Sequence, residues 1–263
     1  MPDREAKLIR SRDNPRYKQL RQLANSTRER RKAGMALLDG AHLIAAYRAS
    51  GREPEQLILS QSGAKNAEAA QLVTGVPANS LLMLPDALFN DIAQVATPTG
   101  ILALIRTPVP RPLPQTLERC VMLENIQDAG NLGSILRSAA AAGIVTILLS
   151  QGCAFPWSAK VLRAGMGAHF ELDIYDNVDL LAAAKRLAGP LLCASSHAEK
   201  SIYQADLRGP LAWAFGNEGA GLSAALTAVA NEQLRIPMPG GSESLNVAAA
   251  AAICLFEQVR QRI

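Results

Sequence analysis

Three polar stretches carry side chains suited to work on a charged, hydroxylated substrate: 128-DAGNLGSILRSAAAAG-143, 216-GNEGAG-221 and 240-GGSESLNV-247. In the first, Asn131, Gly133 and Ser134 open a predicted helix, Gly143 closes it, and Arg137 sits about one turn in. A guanidinium beside free helical N–H groups can clamp a phosphate. The same pattern also suits plain N-capping with a solvated Arg. In the second stretch Glu218 offers a carboxylate to a sugar hydroxyl or substrate, or else caps the helix that follows. This loop lacks the Lys-Ser/Thr of a P-loop and the GxGxxG order of a dinucleotide loop, which argues against a standard nucleotide site. In the third, Ser244 and Asn246 immediately precede a long apolar helix. One of them is expected as its N-cap, which leaves room for a second role.

These residues need a scaffold, and the hydrophobic pattern supplies one. Two apolar runs near the C-terminus, 211-LAWAFG-216 and 233-QLRIP-237, each feed a glycine- and serine-rich loop that opens a helix. An open α/β sheet presents ligands in this way at the carboxyl ends of its strands. Further strands are predicted at 120–126, 144–150 and 191–195, and helices at 132–142, 158–165, 179–188, 221–230 and 246–261. The alternation argues for a mostly parallel sheet covered on both faces. A smaller α/β unit precedes it, with strands at 35–40, 56–60, 81–84 and 100–105 and helices at 41–50, 64–72 and 86–94. The stretch 107-TPVPRPLP-114 can continue neither helix nor ladder. The expected organisation is a basic helical arm over 1–33, a small domain over 34–106, a Pro-rich linker over 107–115 and a larger domain over 116–263.

Charge narrows the function. Residues 1–32 hold eleven Lys and Arg against four acids: Arg4, Lys7, Arg10, Arg12, Arg16, Lys18, Arg21, Arg28, Arg30, Arg31 and Lys32. The net charge of the whole chain is only +4, so the cations are concentrated in this segment. A basic segment on a near-neutral body points to nucleic acid ahead of a merely solvated helix face. Cys120, Cys153, Cys193 and Cys254 are far apart, form no CxxC pair and have no His at ligand spacing. Buried reduced thiols in a cytoplasmic protein are expected, with no metal site. No apolar run is long enough to span a bilayer. His42, His169 and His197 lack partners that suggest catalysis, and Trp157 and Trp213 read as core or interface.

The ordered set is more specific than its parts. Asn131-x-Gly133-x-x-x-Arg137, then Phe215-Gly216-x-Glu218-x-x-Gly221-Leu222, then Ile236-Pro237-Met238 followed by Ser244-Leu245-Asn246-Val247, resemble the three motifs of the SpoU (TrmH-like) family of RNA ribose methyltransferases in the SPOUT superfamily. The stretch 160-KVLRAGMGAHF-170 is similar to that family's basic helix between the motifs. The resemblance covers about 120–263, and residues 34–105 look like the small L30e-like substrate-binding domain that often precedes it. Three positions depart from the pattern: Ala129 where proline is common, Ala140 where an acid is common, and Ala248 where serine often follows.

The resemblance implies a trefoil-knotted α/β domain, a homodimer whose active site uses both protomers, and S-adenosylmethionine as cofactor. On that reading Gly216, Ile236 and Leu245 line the methionine and adenosine pocket. Groups near Ser195, Asn217 and Met238 hold adenine and ribose. The reaction is methyl transfer to a ribose 2′-hydroxyl. Arg137 fixes the target phosphate and stabilises the developing oxyanion, while Asn131, Glu218, Ser244 and Asn246 orient the ribose and the loops. A 2′-hydroxyl target makes RNA the substrate, with ribosomal RNA favoured over tRNA. A non-catalytic RNA-binding or ribosome-assembly factor and a Rossmann-type nucleotide enzyme are the rival expectations.

Overall fold

The computed structural model describes residues 7–240 and 243–263. Arg4 of the basic segment and Gly241 and Ser242 of the third polar stretch lie outside the described residues. The chain packs as two compact units. One comprises residues up to Pro108 together with Trp157–Phe170, and the other comprises Val109–Pro156 and Glu171–Ile263.

The first unit contains β1 (Lys7–Leu8), α1 (Pro15–Asn25), α2 (Thr27–Ala33), β2 (Met35–Asp39), α3 (Ala41–Ala49), β3 (Gln56–Ser60), α4 (Ala67–Val73), β4 (Leu81–Leu84), α5 (Asp86–Asn90) and β5 (Ile101–Arg106). Its sheet runs β1-β4-β3-β5-β2, with β5 antiparallel to both of its neighbours. Pro15 starts α1, and Asn14 Oδ1 accepts the Arg16 N–H. Tyr17, Leu20, Leu23 and Ala24 recur at helical spacing and bury one face of α1 against Leu37, Ile58, Leu82 and Leu104. The helix is therefore part of this unit's core, and Arg16, Lys18 and Arg21 face solvent.

The basic helical arm expected over 1–33 contains two helices, α1 and α2. Asn25, Ser26 and Thr27 all favour non-helical backbone, and Ser26 leaves the helical region to cap α2, its side chain accepting Glu29 N–H. Arg30 then turns inward. It is 3% exposed and donates to the Leu23 and Ala24 carbonyls at the end of α1 and to Gln94 Oε1. Counted among the nucleic-acid cations by sequence, it is structural.

The second unit contains β6 (Arg119–Leu123), α6 (Ala129–Ala141), β7 (Thr146–Leu149), β8 (Asp173–Tyr175), α8 (Leu180–Ala184), β9 (Leu191–Ala194), β10 (Leu211–Phe215), α9 (Ala224–Val229), β11 (Glu232–Leu234) and α10 (Val247–Arg260). Between β7 and β8, α7 (Ala159–Gly165) belongs to the first unit, where it packs on β2. The sheet is fully parallel in the order β11-β9-β10-β6-β7-β8. Both of its faces are covered, so the strands read as continuous apolar runs. Cys120, Met122, Cys193, Ala212 and Ala214 face Leu180 and Leu226 of α8 and α9. Trp213 points the other way, and its indole N–H donates to Gln258 Oε1 of α10 at 3.2 Å.

The helix expected over 179–188 stops at Ala184 because Arg186 and Ala188 pair through their backbones with Leu117. The short strands β1 and β8 have no counterpart in the sequence reading, since two or three residues are too few for a periodic signal. All four cysteines are buried and unpaired. Burial pushes the Cys120 thiol up to about 12, and burial with the nearby Glu124 charge pushes Cys193 up to about 11. Neither is a thiolate nucleophile at neutral pH.

Candidate active site

The strand order reverses direction at β6. The chain steps outward through β7 and β8, then returns to β9 and inserts β10 beside β6. Crevices at such switch points, outside the carboxyl ends of the strands, are where open α/β sheets bind ligands. A cleft of ≈ 630 Å³ lies to one side of that point, at the carboxyl ends of β9, β10 and β11, lined by the loops after those strands and by the start of α10. That volume lies within the usual range for a small-molecule site.

Six residues expected at a cofactor, Ser195, Gly216, Asn217, Ile236, Met238 and Leu245, all line this cleft. Glu218, Ser244 and Asn246 line it too. His197, given no catalytic part by the sequence reading, is an exposed lining residue. The wall after β10 is a tight turn, in which Asn217 and Gly221 exchange both backbone hydrogen bonds. Asn217 Oδ1 accepts the N–H groups of Gly219 and Ala220, both at 3.0 Å. Gly221 holds φ 69°, and a methyl group at Gly216 would collide with the Gly221 and Leu222 backbone.

The first polar stretch differs from expectation at its start. Its helix begins at Ala129, three residues early, because Asp128 is the N-cap and its Oδ1 accepts Asn131 N–H at 2.8 Å. The Asn131 side chain is thereby freed from capping. Its Nδ2 donates to Glu218 Oε1 at 3.0 Å, and its Oδ1 accepts Asn246 Nδ2 at 2.9 Å. Asn246 is the N-cap of α10, its Oδ1 accepting Ala248 and Ala249 N–H. One amide thus starts a helix and reaches across to another.

Glu218 does not cap α9; Ser223 does. Instead Glu218 Oε1 also accepts Asp128 N–H at 3.3 Å. Burial raises the Glu218 carboxyl, but hydrogen bonds from Asn131 and the backbone N–H groups of Glu218, Asp128 and Gln127 outweigh it, so it sits below its ordinary value. It is a carboxylate at neutral pH, with acceptor capacity only.

Arg137 is exposed on α6, its guanidinium free of any hydrogen bond or ion pair among the described residues, and it lies outside the cleft lining. It follows Asn131 by six residues, roughly 9 Å along the helix axis. Contacts absent from the sequence reading complete the site. Glu124 receives both the N–H and the hydroxyl of Ser223, at 2.6 and 2.8 Å, and Asn217 Nδ2 donates to the Asn125 carbonyl at 2.9 Å. Only the position of Glu124 and Asn125 at the end of an apolar run pointed toward them. Among the described residues no group of three His, Cys, Asp or Glu side chains is arranged to hold a metal.

A cleft at the carboxyl ends of parallel strands, flanked by a polar network from three separated motifs, defines an α/β protein with a candidate ligand site there. The sequence profile of the SpoU rRNA Methylase family matches residues 118–256, and that of an MRM3-like substrate binding domain matches residues 14–103. The chain belongs to the SpoU family. It is 34% identical to an uncharacterized tRNA/rRNA methyltransferase of Synechocystis, over 97% of this chain and 94% of that one. It is 30% identical to the 23S rRNA (guanosine(2553)-2'-O)-methyltransferase RlmP of Bacillus subtilis, over 95% and 98%. The crystal structure of an AdoMet-bound rRNA methyltransferase from Sinorhizobium meliloti superposes with TM-score 0.82 at 27% identity, covering 98% of this chain and 99% of that one.

Proposed function

We propose that this chain transfers a methyl group from S-adenosylmethionine to a ribose 2′-hydroxyl of ribosomal RNA. The observation that carries the reading is the side-chain chain Glu218–Asn131–Asn246, which joins the three motif segments beside the cleft. The relatives' ribosomal RNA substrates favour that RNA over tRNA.

The cleft fits the cofactor. Ile236, Met238 and Leu245 give it apolar walls, Ser195 and Asn217 give polar groups, and the missing Cβ of Gly216 lets the 216–221 turn close against the Gly221 and Leu222 backbone to form one wall. Bound there, S-adenosylmethionine supplies an already activated methyl group, so the protein's task is alignment and the handling of one proton. Glu218 is ionised and engaged by Asp128 N–H and by the side-chain amides of Asn131 and Asn217, which makes it an orienting group. Asn131 and Asn246 pass that orientation to α10, and Ser244 stands exposed at the cleft edge to meet the ribose. Arg137 has a donor fork with no partner among the described residues. It fixes the target phosphate and stabilises the developing 2′-oxyanion, and the neighbouring phosphate or a water accepts the proton.

The same reading extends to the rest of the chain. Residues 116–263 form a trefoil-knotted catalytic domain that pairs into a homodimer. Residues 34–106 form an L30e-like domain that grips RNA with the exposed cations of the 1–33 segment, and 107–115 link the two. The protein acts in the cytoplasm. The test incubates the protein and methyl-labelled S-adenosylmethionine with total RNA from a host deleted for the gene. Label is expected in a 2′-O-methyl nucleoside of the ribosomal fraction. Label on a base, or in transfer RNA alone, would overturn the assignment.

A further inference from the structure

Asn125 stands in the turn between β6 and α6 with a left-handed backbone, φ 55°. Residues with side chains rarely adopt that region, although Asn tolerates it better than most. Here the fold holds it from two sides. Its N–H donates to Ser150 Oγ at 2.9 Å, and Ser150 Oγ donates to its Oδ1 at 3.4 Å. Its side chain lies over Gly152, where a methyl group would collide with that same Oδ1. The left-handed backbone decides where the Asn125 carbonyl points. That carbonyl accepts Asn217 Nδ2, and Asn217 in turn folds Gly219 and Ala220 back through its Oδ1. Neither Asn125 nor Gly152 lines the cleft.

We propose that Asn125, seated on Gly152, is a positioning residue for the methyl-donor cleft. Its left-handed carbonyl anchors Asn217, and through Asn217 it sets the wall formed by residues 216–221. The inference rests on the reading of this cleft as the S-adenosylmethionine site. It assigns Asn125 no contact with substrate or cofactor. It also explains why the turn after β7 carries a glycine at 152, since any side chain there would displace Asn125.

Two readouts test it on the full-length protein: titration with S-adenosylmethionine, and hydrogen exchange of the 216–222 amides in the free protein. Asn125→Ala disfavours the left-handed region. It should weaken cofactor binding about fivefold to tenfold, the effect of one lost hydrogen bond, and speed exchange in that segment. Asn125→Gly restores the backbone freedom and should return both readouts toward wild type. Gly152→Ala keeps the Asn125 residue but pushes its side chain aside, and should behave like Asn125→Ala. A purely structural role would lower the melting temperature and loosen the whole domain, without rescue by glycine. Unchanged exchange in both Asn125→Ala and Gly152→Ala, or equal impairment of Asn125→Gly and Asn125→Ala, overturns the proposal. If the wild-type protein fails to bind S-adenosylmethionine, the functional reading falls, and the exchange measurement still decides whether Asn125 sets the loop.

Discussion

At the scale of single residues, the proposed reading divides the site into groups that orient and one that is free to act. Glu218, Asn131 and Asn246 spend their polar atoms on one another and on helix termini. Glu218→Gln keeps the shape but removes the charge that the Asp128 and Asn131 donors meet at Oε1, and sets an NH2 opposite Asn217 Nδ2 in place of Oε2. A fall in kcat/KM of about tenfold to a hundredfold is expected from steady-state assays, the cost of one disrupted charged hydrogen bond. Because the Glu218 carboxyl is held below its ordinary value of 4.5, its ionised form persists down past that pH. Its contribution is present at higher pH and is lost only as pH falls through the lowered value. A pH–rate profile should therefore show no acid limb from Glu218 near neutrality, and Glu218→Gln should leave any limb seen between pH 6 and 8 unmoved. Arg137 is different, because its guanidinium has no partner to lose among the described residues. Arg137→Ala should reduce kcat at least a hundredfold, roughly 3 kcal/mol for one oxyanion donor, with the melting temperature unchanged. Near-normal turnover in Arg137→Lys would show that the forked geometry is unnecessary.

At the scale of elements, most strands and helices were legible because their apolar periodicity is set by the residues themselves. β4 spans the predicted 81–84, and β3 the predicted 56–60. Errors fall where a side chain or a distant strand competes with local propensity. Ser26 splits the N-terminal helix by capping, Asp128 starts α6 early, and the Leu117 pairing ends α8. Arg30 joins two of these elements, since it bonds the last carbonyls of α1 from within α2. Burial lowers its pKa, yet it remains a cation with three internal acceptors. Arg30→Met removes the donors and leaves those acceptors buried, which should cost about 2–4 kcal/mol in urea unfolding. Arg28→Met, at an exposed position on the same helix, should cost under ~0.5 kcal/mol.

At the scale of the whole molecule, the charge is uneven, and that asymmetry predicts how RNA is held. Lys7, Arg10, Arg21, Arg28 and Lys32 are exposed and form no ion pair among the described residues. Arg12 and Lys18 are exposed too, but pair with Asp91 and Asp13. RNA affinity should fall linearly on a log–log plot against salt, with a slope reduced by roughly 0.7–0.9 for each phosphate-binding cation removed. Arg21→Gln and Arg28→Gln should each flatten the slope by about that amount, whereas Arg30→Gln should not flatten it. Light scattering should give twice the mass of the 28.0 kDa chain, the state expected of the proposed homodimer, and a monomer would remove the shared active site from the reading.

The sequence by itself determined the family, the alternation of strands and helices, and two of the loops that line the cleft. These follow from residue type and spacing, which local backbone geometry reads directly. It could not assign roles within the loops. Asn131, Glu218 and Asn246 are 87 and 115 residues from their partners, and only the packed sheet brings those loops to one edge. The same holds for Arg30, which looks like any cation until two helix ends enclose it, and for Asn125, whose left-handed carbonyl exists only once Ser150 and Gly152 lie beneath it. Long-range packing decides which polar groups are used up inside the fold and which remain free for a substrate.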